Sequence, residues 1–202
     1  MVTGIALGQV NISCSYKNVT ITFNTDSIIP AFIDSRDGNV YDTITVGTTV
    51  WMNRNFAYHS TGSVSVDLNS VNDLKYGRLY LRSILSDSTF CPVGWHIATI
   101  TEWNSLITYT GGQLISGQKL RSSTDWIDDI TYPGMDTIGF NLKGAGYNAG
   151  GQAEFNQRTY LWCADPLNNT DRLDTGTNTS AIGSFFFGAG DLFKFSVRLV
   201  KN

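Results

Sequence analysis

Few side chains in this sequence could do covalent chemistry, and their spacing does not bring them together. Cys14, Cys91 and Cys163 are its only thiols, and His59 and His96 its only imidazoles. No Cys-x-x-Cys pair occurs, so thiolate metal binding has no local nucleus. A cysteine nucleophile needs a histidine beside it, and neither histidine has a context that suggests that partnership. The odd cysteine count argues against a secreted disulfide scaffold. Two readings stay open for Cys91 and Cys163: a bridge between them, or buried thiols, which the reading favours.

The motifs of serine hydrolases, zinc peptidases and P-loop proteins are missing from the sequence. Glu102, Asp125, Asp128 and Asp129 could supply a carboxylate pair for acid–base work. Glu102, however, follows Thr99 at capping-box spacing, and the aspartates bracket Trp126 in what reads as a solvated turn. Gly144-Ala145-Gly146-Tyr147-Asn148-Ala149 matches a dinucleotide-binding fingerprint, which needs a helix to begin there. Gly150-Gly151 cannot carry one, so the run reads as a loop or strand that lets backbones approach closely. Asp34-Ser35-Arg36-Asp37-Gly38-Asn39 has the look of a calcium loop but lacks the alternating ligands and the distal glutamate, and reads as a tight turn. The expectation is a non-enzymatic protein with no catalytic residue, no metal site and no cofactor.

The elements that would position a binding surface are easier to read. Val40–Val46 alternates, Gly47-Thr48 turns, and Thr49–Met52 returns, which predicts a hairpin. His59–Leu68 reads as a surface loop, and Leu74–Leu85 as a buried strand followed by a short helix. Thr99-Ile100-Thr101-Glu102 opens a helix whose buried face carries Trp103, Leu106 and Ile107, and Gly111-Gly112 ends it. Beyond Leu120 the chain reads as loops and short strands. The fold class is α+β, with few and short helices.

Residues 1–31 read differently. Gln9–Cys14 and Val19–Phe23 alternate around a turn at Tyr16-Lys17-Asn18, and Ile28-Ile29-Pro30 breaks the pattern. This predicts an N-terminal β arm too small to own a core, and therefore one for assembly or docking. A compact domain is expected over 32–202.

Composition excludes two classes of partner. With 14 Lys and Arg against 17 Asp and Glu, and no basic run, the chain has no face for a nucleic-acid backbone. The longest apolar stretches, Ile28–Ile33 and Phe185–Phe187, fall well short of the roughly 20 residues of a spanning helix, so no membrane insertion is expected. The first residues show neither a basic region nor an apolar run of the kind a secretory signal carries, which leads to the expectation of a protein folded in the cytoplasm. The 11 Phe, 9 Tyr and 5 Trp supply ample apolar area for a core.

One string is more specific than all of these. Cys91-Pro92-Val93-Gly94-Trp95-His96, followed by Glu102-Trp103 and Leu106, resembles the C-P-x-G-W-H…E-W-x-x-L signature of the Fibrobacter succinogenes major paralogous domain family. Other blocks fall in the family's order: Asp37–Tyr41, Val50–Phe56, Tyr76–Tyr80, Leu120–Ser122 with Trp126, Thr137–Phe140, Tyr160–Trp162 and Phe195–Lys201. The resemblance covers about residues 33–202. It implies a C-type-lectin-like fold, akin to that of formylglycine-generating enzymes, with first and last strands paired, two short helices beside a twisted antiparallel sheet, and long loops forming a binding face. Trp51, Trp95 and Trp103 are then core residues. The sequence also departs from the family, because Leu199 stands where the closing cysteine is usual, which removes the usual partner of Cys91. The redox cysteines of the enzyme relatives and the calcium triplets of the lectins have no counterpart here.

Together these readings lead to an expected function: a structural or adhesion protein of a bacteriophage or phage-like particle (fibre, tail or capsid decoration), found on the particle surface. It would present a lectin-like domain to a host glycan or protein and pair with itself or other particle proteins through the arm, as a homo-oligomer. The alternative is a carbohydrate- or protein-binding module that is secreted or sits on a bacterial cell surface. The ligand face is expected between Gly144 and Gly190, at Tyr147, Asn148, Phe155, Asn156, Tyr160 and Trp162. Of these, Tyr147 and Phe155 are expected to be exposed, while Tyr160 and Trp162 read equally well as core.

Overall fold

The computed structural model describes residues 10–16, 19–25, 31–127, 131–164, 172–185 and 192–202 of the 202-residue chain. Asp128 and Asp129, and part of the expected turn at Tyr16–Asn18, lie outside them. Backbone contacts divide the chain into two units, 1–30 and 31–202. In the first, β1 (Val10–Tyr16) and β2 (Val19–Thr25) pair antiparallel from Val10↔Thr25 to Tyr16↔Val19, each two residues longer at its end than the alternation suggested.

The second unit begins at β3 (Ala31–Ile33), which pairs with β4 (Val40–Val46) across the tight turn at Asp34–Asn39. The turn closes through Gly38 N–H donating to the Asp34 carbonyl at 2.8 Å. β4 pairs in turn with β5 (Thr49–Met52) around Gly47-Thr48. Residues 59–68 are more than a loop. They hold β6 (Val64–Ser65) and a 3₁₀ turn that buries Val66 completely. The segment around 74–85 also differs from expectation. α1 (Asp73–Tyr76) comes first, β7 (Arg78–Leu81) follows, and the short helix after it is 3₁₀.

Gly77 is what makes that junction possible. It sits at φ +75°, and a Cβ there would lie 2.6 Å from Asn55 Cβ and 2.7 Å from the Phe56 carbonyl oxygen. Only glycine tolerates both the left-handed backbone and that approach.

β8 (Trp95–Ile97) leads into α2 (Ile100–Tyr109), which starts at the expected capping box. Thr99 Oγ1 accepts from Glu102 N–H at 3.2 Å, and Glu102 Oε2 accepts from Thr99 N–H at 2.8 Å. Glu102 Oε1 also lies 2.9 Å from His96 Nε2, so one carboxylate caps the helix and ties it to β8. α3 (Gln113–Leu120) follows without a capping side chain, since Gly112 holds the N-cap position. With no local start signal, it was not legible in the sequence.

The remaining strands are short: β9 (Tyr147–Asn148), β10 (Gln152–Ala153), β11 (Arg158–Trp162), β12 (Arg172–Gly176), β13 (Gly183–Phe185), β14 (Lys194–Phe195) and β15 (Leu199–Lys201). In the second unit they complete three antiparallel sheets, ordered β3-β4-β5-β15-β8, β10-β9-β14-β7-β6 and β11-β12-β13. The domain's closing strand β15 lies between β5 and β8. The fold is α+β, with antiparallel sheets and few helices. No helix among the described residues is long and apolar enough to cross a membrane.

Central strands are buried on both faces. Trp51 and Val200 face one core, with Trp103, Leu106 and Phe140, while Met52 and Leu199 face another, with Tyr41, Phe56, Tyr80 and Trp95. β11 divides the same way, sending Leu161 to the first core and Tyr160 and Trp162 to the second. This is the period-two alternation of a strand with apolar surroundings on both sides. Trp51, Trp95 and Trp103 are core residues, as expected.

Arg198 lies at the centre, fully buried. Its Nη1 donates to the carbonyls of Met52 (2.9 Å) and Phe140 (3.0 Å), and its Nη2 to Asn55 Oδ1 (3.0 Å). Burial pulls the guanidinium down to about 9, yet at neutral pH it stays protonated and saturates these oxygens. Replacing Arg198 by Met should leave buried carbonyls without donors and cost about 3 kcal/mol. Urea unfolding followed by tryptophan fluorescence should show the midpoint falling.

Cys91 and Cys163 form no disulfide. Leu199 stands in the apolar cluster against which Cys91 packs, filling it with a branched hydrocarbon where the resemblance places a second sulfur. Burial pushes the Cys91 thiol up to about 11, which suppresses the reactive thiolate. Alkylation should therefore be slow at Cys91 in the folded protein, and under denaturing, non-reducing conditions mass spectrometry should count three modified cysteines.

Candidate functional site

The six residues expected on the ligand face separate into two groups. Tyr147, Tyr160 and Trp162 join Phe193 and Phe195 in one aromatic cluster. Tyr147 lies edge-on to Tyr160 at 5.4 Å and tilted against Phe193 at 5.5 Å, and Trp162 lies 4.4 Å from Phe195. Trp162 is fully buried and donates its indole N–H to the Tyr80 carbonyl at 2.8 Å, so it belongs to the core. Asn148 is buried too, paired in β9 with Gln152 and Lys194.

Phe155 and Asn156 form the second group, around Tyr76. Phe155 packs edge-on to the Tyr76 ring at 5.0 Å, and Asn156 Oδ1 accepts from the Tyr76 hydroxyl at 2.9 Å. Asn156 has the left-handed backbone (φ +58°), donates its N–H to the Gly144 carbonyl and accepts from Ile127 N–H. The expectation that Tyr147 and Phe155 are exposed is corrected: both are half-buried because each ring is packed against another. The glycine run beside them reads as expected. Gly146, at φ +61°, lies so close to the Ala153 carbonyl that a Cβ would overlap it, and a strand rather than a helix follows.

Around the first group lies an ionic rim that inspection of the sequence missed. Arg158, Tyr160 and Trp162 alternate along one face of β11, and β12 sets Asp174 opposite Tyr160 and Arg172 opposite Trp162. The Tyr160 hydroxyl donates to Glu154 Oε2 at 2.5 Å. Burial, with the Glu154 carboxylate beside it, raises the phenol well above its usual range, so it stays a neutral donor. Arg158 Nε lies 3.9 Å from Asp174 Oδ2, and the Arg172 guanidinium sits 5.2 Å over the Tyr160 ring. Burial raises the Asp174 carboxyl, against the opposing pull of Arg158 and Arg172. The signal that could have found this rim is the every-second-residue placement of Arg158, Tyr160 and Trp162. Chemically the face offers half-buried aromatic rings beside paired charges, an arrangement suited to holding a ligand. Among the described residues no three His, Cys, Asp or Glu side chains gather into a group able to hold a metal.

A second tie steadies the loop around Trp126. Asp125, at φ +70°, receives Lys143 Nζ at 2.7 Å and forms an ion pair with Lys75. Burial alone would raise its carboxyl, but hydrogen bonds from Lys143, Lys75 and Thr124 outweigh it and hold the group down at about 2.

The class these features define is an α+β domain of antiparallel sheets with an aromatic, ion-rimmed face assembled from short strands and turns. The chain belongs to the Fibrobacter succinogenes major domain family, whose pattern matches residues 44–201. No curated protein and no solved structure matches the chain.

The Asp125 tie has a pH signature. A carboxyl depressed in the folded state contributes stability that is complete above the unfolded value near 4 and is lost as pH falls toward 2. Asp125→Asn should lower stability at pH 7 by about 1–2 kcal/mol. It should also flatten the pH dependence of the thermal midpoint between pH 4 and 2.

Proposed function

We propose that this chain is a non-enzymatic structural and adhesion protein of a bacteriophage or phage-like particle. It presents a C-type-lectin-like domain to a glycan or protein on the host surface and assembles through its N-terminal ribbon. The observation that carries this reading is the division into two units of different character. Among the described residues β1 and β2 pair only with each other, and a two-stranded ribbon is marginally stable alone and offers rows of N–H and C=O groups for a further strand. A second copy or another particle protein can complete those rows by strand addition.

The domain supplies the other half of the argument. Its loops are tied by ion pairs and buried arginines, and its aromatic face with paired charges combines large contact area with polar handles. The absence of a Cys91 bridge, with Leu199 in the second sulfur's place, suits a protein that folds in a reducing compartment and leaves in a particle. A C-type-lectin-like fold, as the family resemblance implies, agrees with the last strand closing against the first hairpin.

Light scattering of the full-length protein should give an oligomer, and a variant lacking residues 1–30 should be a soluble monomer. Immunogold labelling of a lysate from the producing culture should mark particles. Label confined to the cell envelope would overturn the particle reading in favour of a bacterial surface module. Tyr147→Ala/Phe155→Ala should weaken attachment to host cells while the domain stays folded.

A further inference from the structure

Away from the aromatic face, residues 58–61 and 83–90 enclose a groove of about 470 Å³. This is within the range of about 300–1,000 Å³ typical of small-ligand sites. It is lined by Tyr58, His59, Ser60, Thr61, Asp87 and Thr89, with Ser83, Ile84 and Phe90 completing it.

Its two walls are held by one side chain. The Arg36 guanidinium stacks 3.9 Å from the Tyr58 ring on one wall and donates from Nη1 to the Thr89 and Phe90 carbonyls of the other, at 2.5 and 3.0 Å. Two further guanidinium donors go to the wholly buried Asp34, from Nε to Oδ1 at 2.9 Å and from Nη2 to Oδ2 at 2.6 Å. Arg36 is thus ion-paired with Asp34 while it holds both walls. The Tyr58 carbonyl accepts from the Tyr80 hydroxyl at 2.9 Å, which anchors that wall to the core. A groove with walls fixed before binding loses little entropy when a ligand enters.

The chemistry of the lining is narrow. The side chains of Tyr58, Ser60, Thr61, Ser83 and Thr89 all end in hydroxyls, and Ser60 Oγ, itself buried, has no hydrogen-bond partner among the described residues. Asp87 is the one carboxylate in the lining. Hydrogen bonds from the Thr89 N–H and hydroxyl both go to its Oδ1 and hold it below the ordinary carboxylate range, so it is ionised at neutral pH. Oδ2 receives neither of them. Among the described residues no lysine or arginine lines the groove.

We infer that this groove is a second binding site, for a neutral or amino-bearing sugar, with Asp87 Oδ2 accepting from ligand hydroxyls and the Ser and Thr hydroxyls completing its hydrogen bonds. A ring rich in vicinal hydroxyls presents paired donors to a carboxylate and both donors and acceptors to side-chain hydroxyls. Acidic sugars are disfavoured, because Asp87 repels them and no lysine or arginine in the described lining offsets it. This inference rests on the adhesion reading but places contact in a different part of the domain.

The test is a glycan array probed with the full-length protein, then isothermal titration with the strongest neutral ligand. Neutral or amino-sugar glycans should be retained and sialylated ones should not. Asp87→Asn, which keeps an Oδ1 acceptor for Thr89, and Thr61→Trp, which fills the groove, should each weaken binding by about tenfold or more with the thermal midpoint unchanged. Retention of no neutral glycan overturns the inference. So does binding that survives both groove variants and is lost in Tyr147→Ala/Phe155→Ala, a result that would leave the adhesion reading standing.

Discussion

A buried positive charge with no carboxylate hydrogen-bonded to it organises this domain. Arg198 stands in the chain's closing segment, and its three acceptors come from the end of β5, from Asn55 and from the loop at Phe140. The strand register that puts Leu199 and Val200 into opposite cores also carries this guanidinium between them. Without such acceptors the charge could not be buried, and without the charge the carbonyls would be orphaned in an apolar interior. The position of β15 and the course of the loops it touches are therefore decided together.

The same device recurs where regular structure is scarce. Arg121, nearly inaccessible, donates to the carbonyls of Gly176, Thr179 and Tyr132 and so gathers the end of β12, the turn after it and the loop at Tyr132. Arg78 reaches Ser63, Ser65 and Asp73 and holds the 59–68 segment against β7. Much of the chain lies outside long helices and strands, so many interior carbonyls have no ladder to satisfy them. A guanidinium with five donors answers several at once, and a lysine could not match that planar fork.

These ties give the surface its character. The aromatic face stands on Trp162 and Phe195, both buried in the second core, while its accessible parts are the half-buried ring of Tyr147 and the charges of Glu154, Arg158 and Arg172. The groove walled by Tyr58 and Thr89 is fixed by the same chemistry on a smaller scale, through Arg36. In both places side-chain ties, rather than long regular elements, set the course of the loops.

Some of this was legible in the sequence because the interactions responsible are local. The capping box joins Thr99 to Glu102 within one helical turn. The β4–β5 hairpin follows from alternation around Gly47, the Asp34–Asn39 turn from its own short hydrogen bonds, and the family from ordered blocks that survive without any knowledge of packing. Trp51, Trp95 and Trp103 were legible as core from the family resemblance and the size of their rings. What only tertiary structure decided lies between distant residues. Arg198 meets Met52 across 146 positions and Trp162 meets Tyr80 across 82. Those meetings turned Trp162 and Asn148 inward and half-covered Tyr147 and Phe155. Other long-range ties brought residues 36, 58 and 89 around one groove. A string of residues shows which side chains are apolar, but the face on which each is buried depends on strands that pair from opposite ends of the domain.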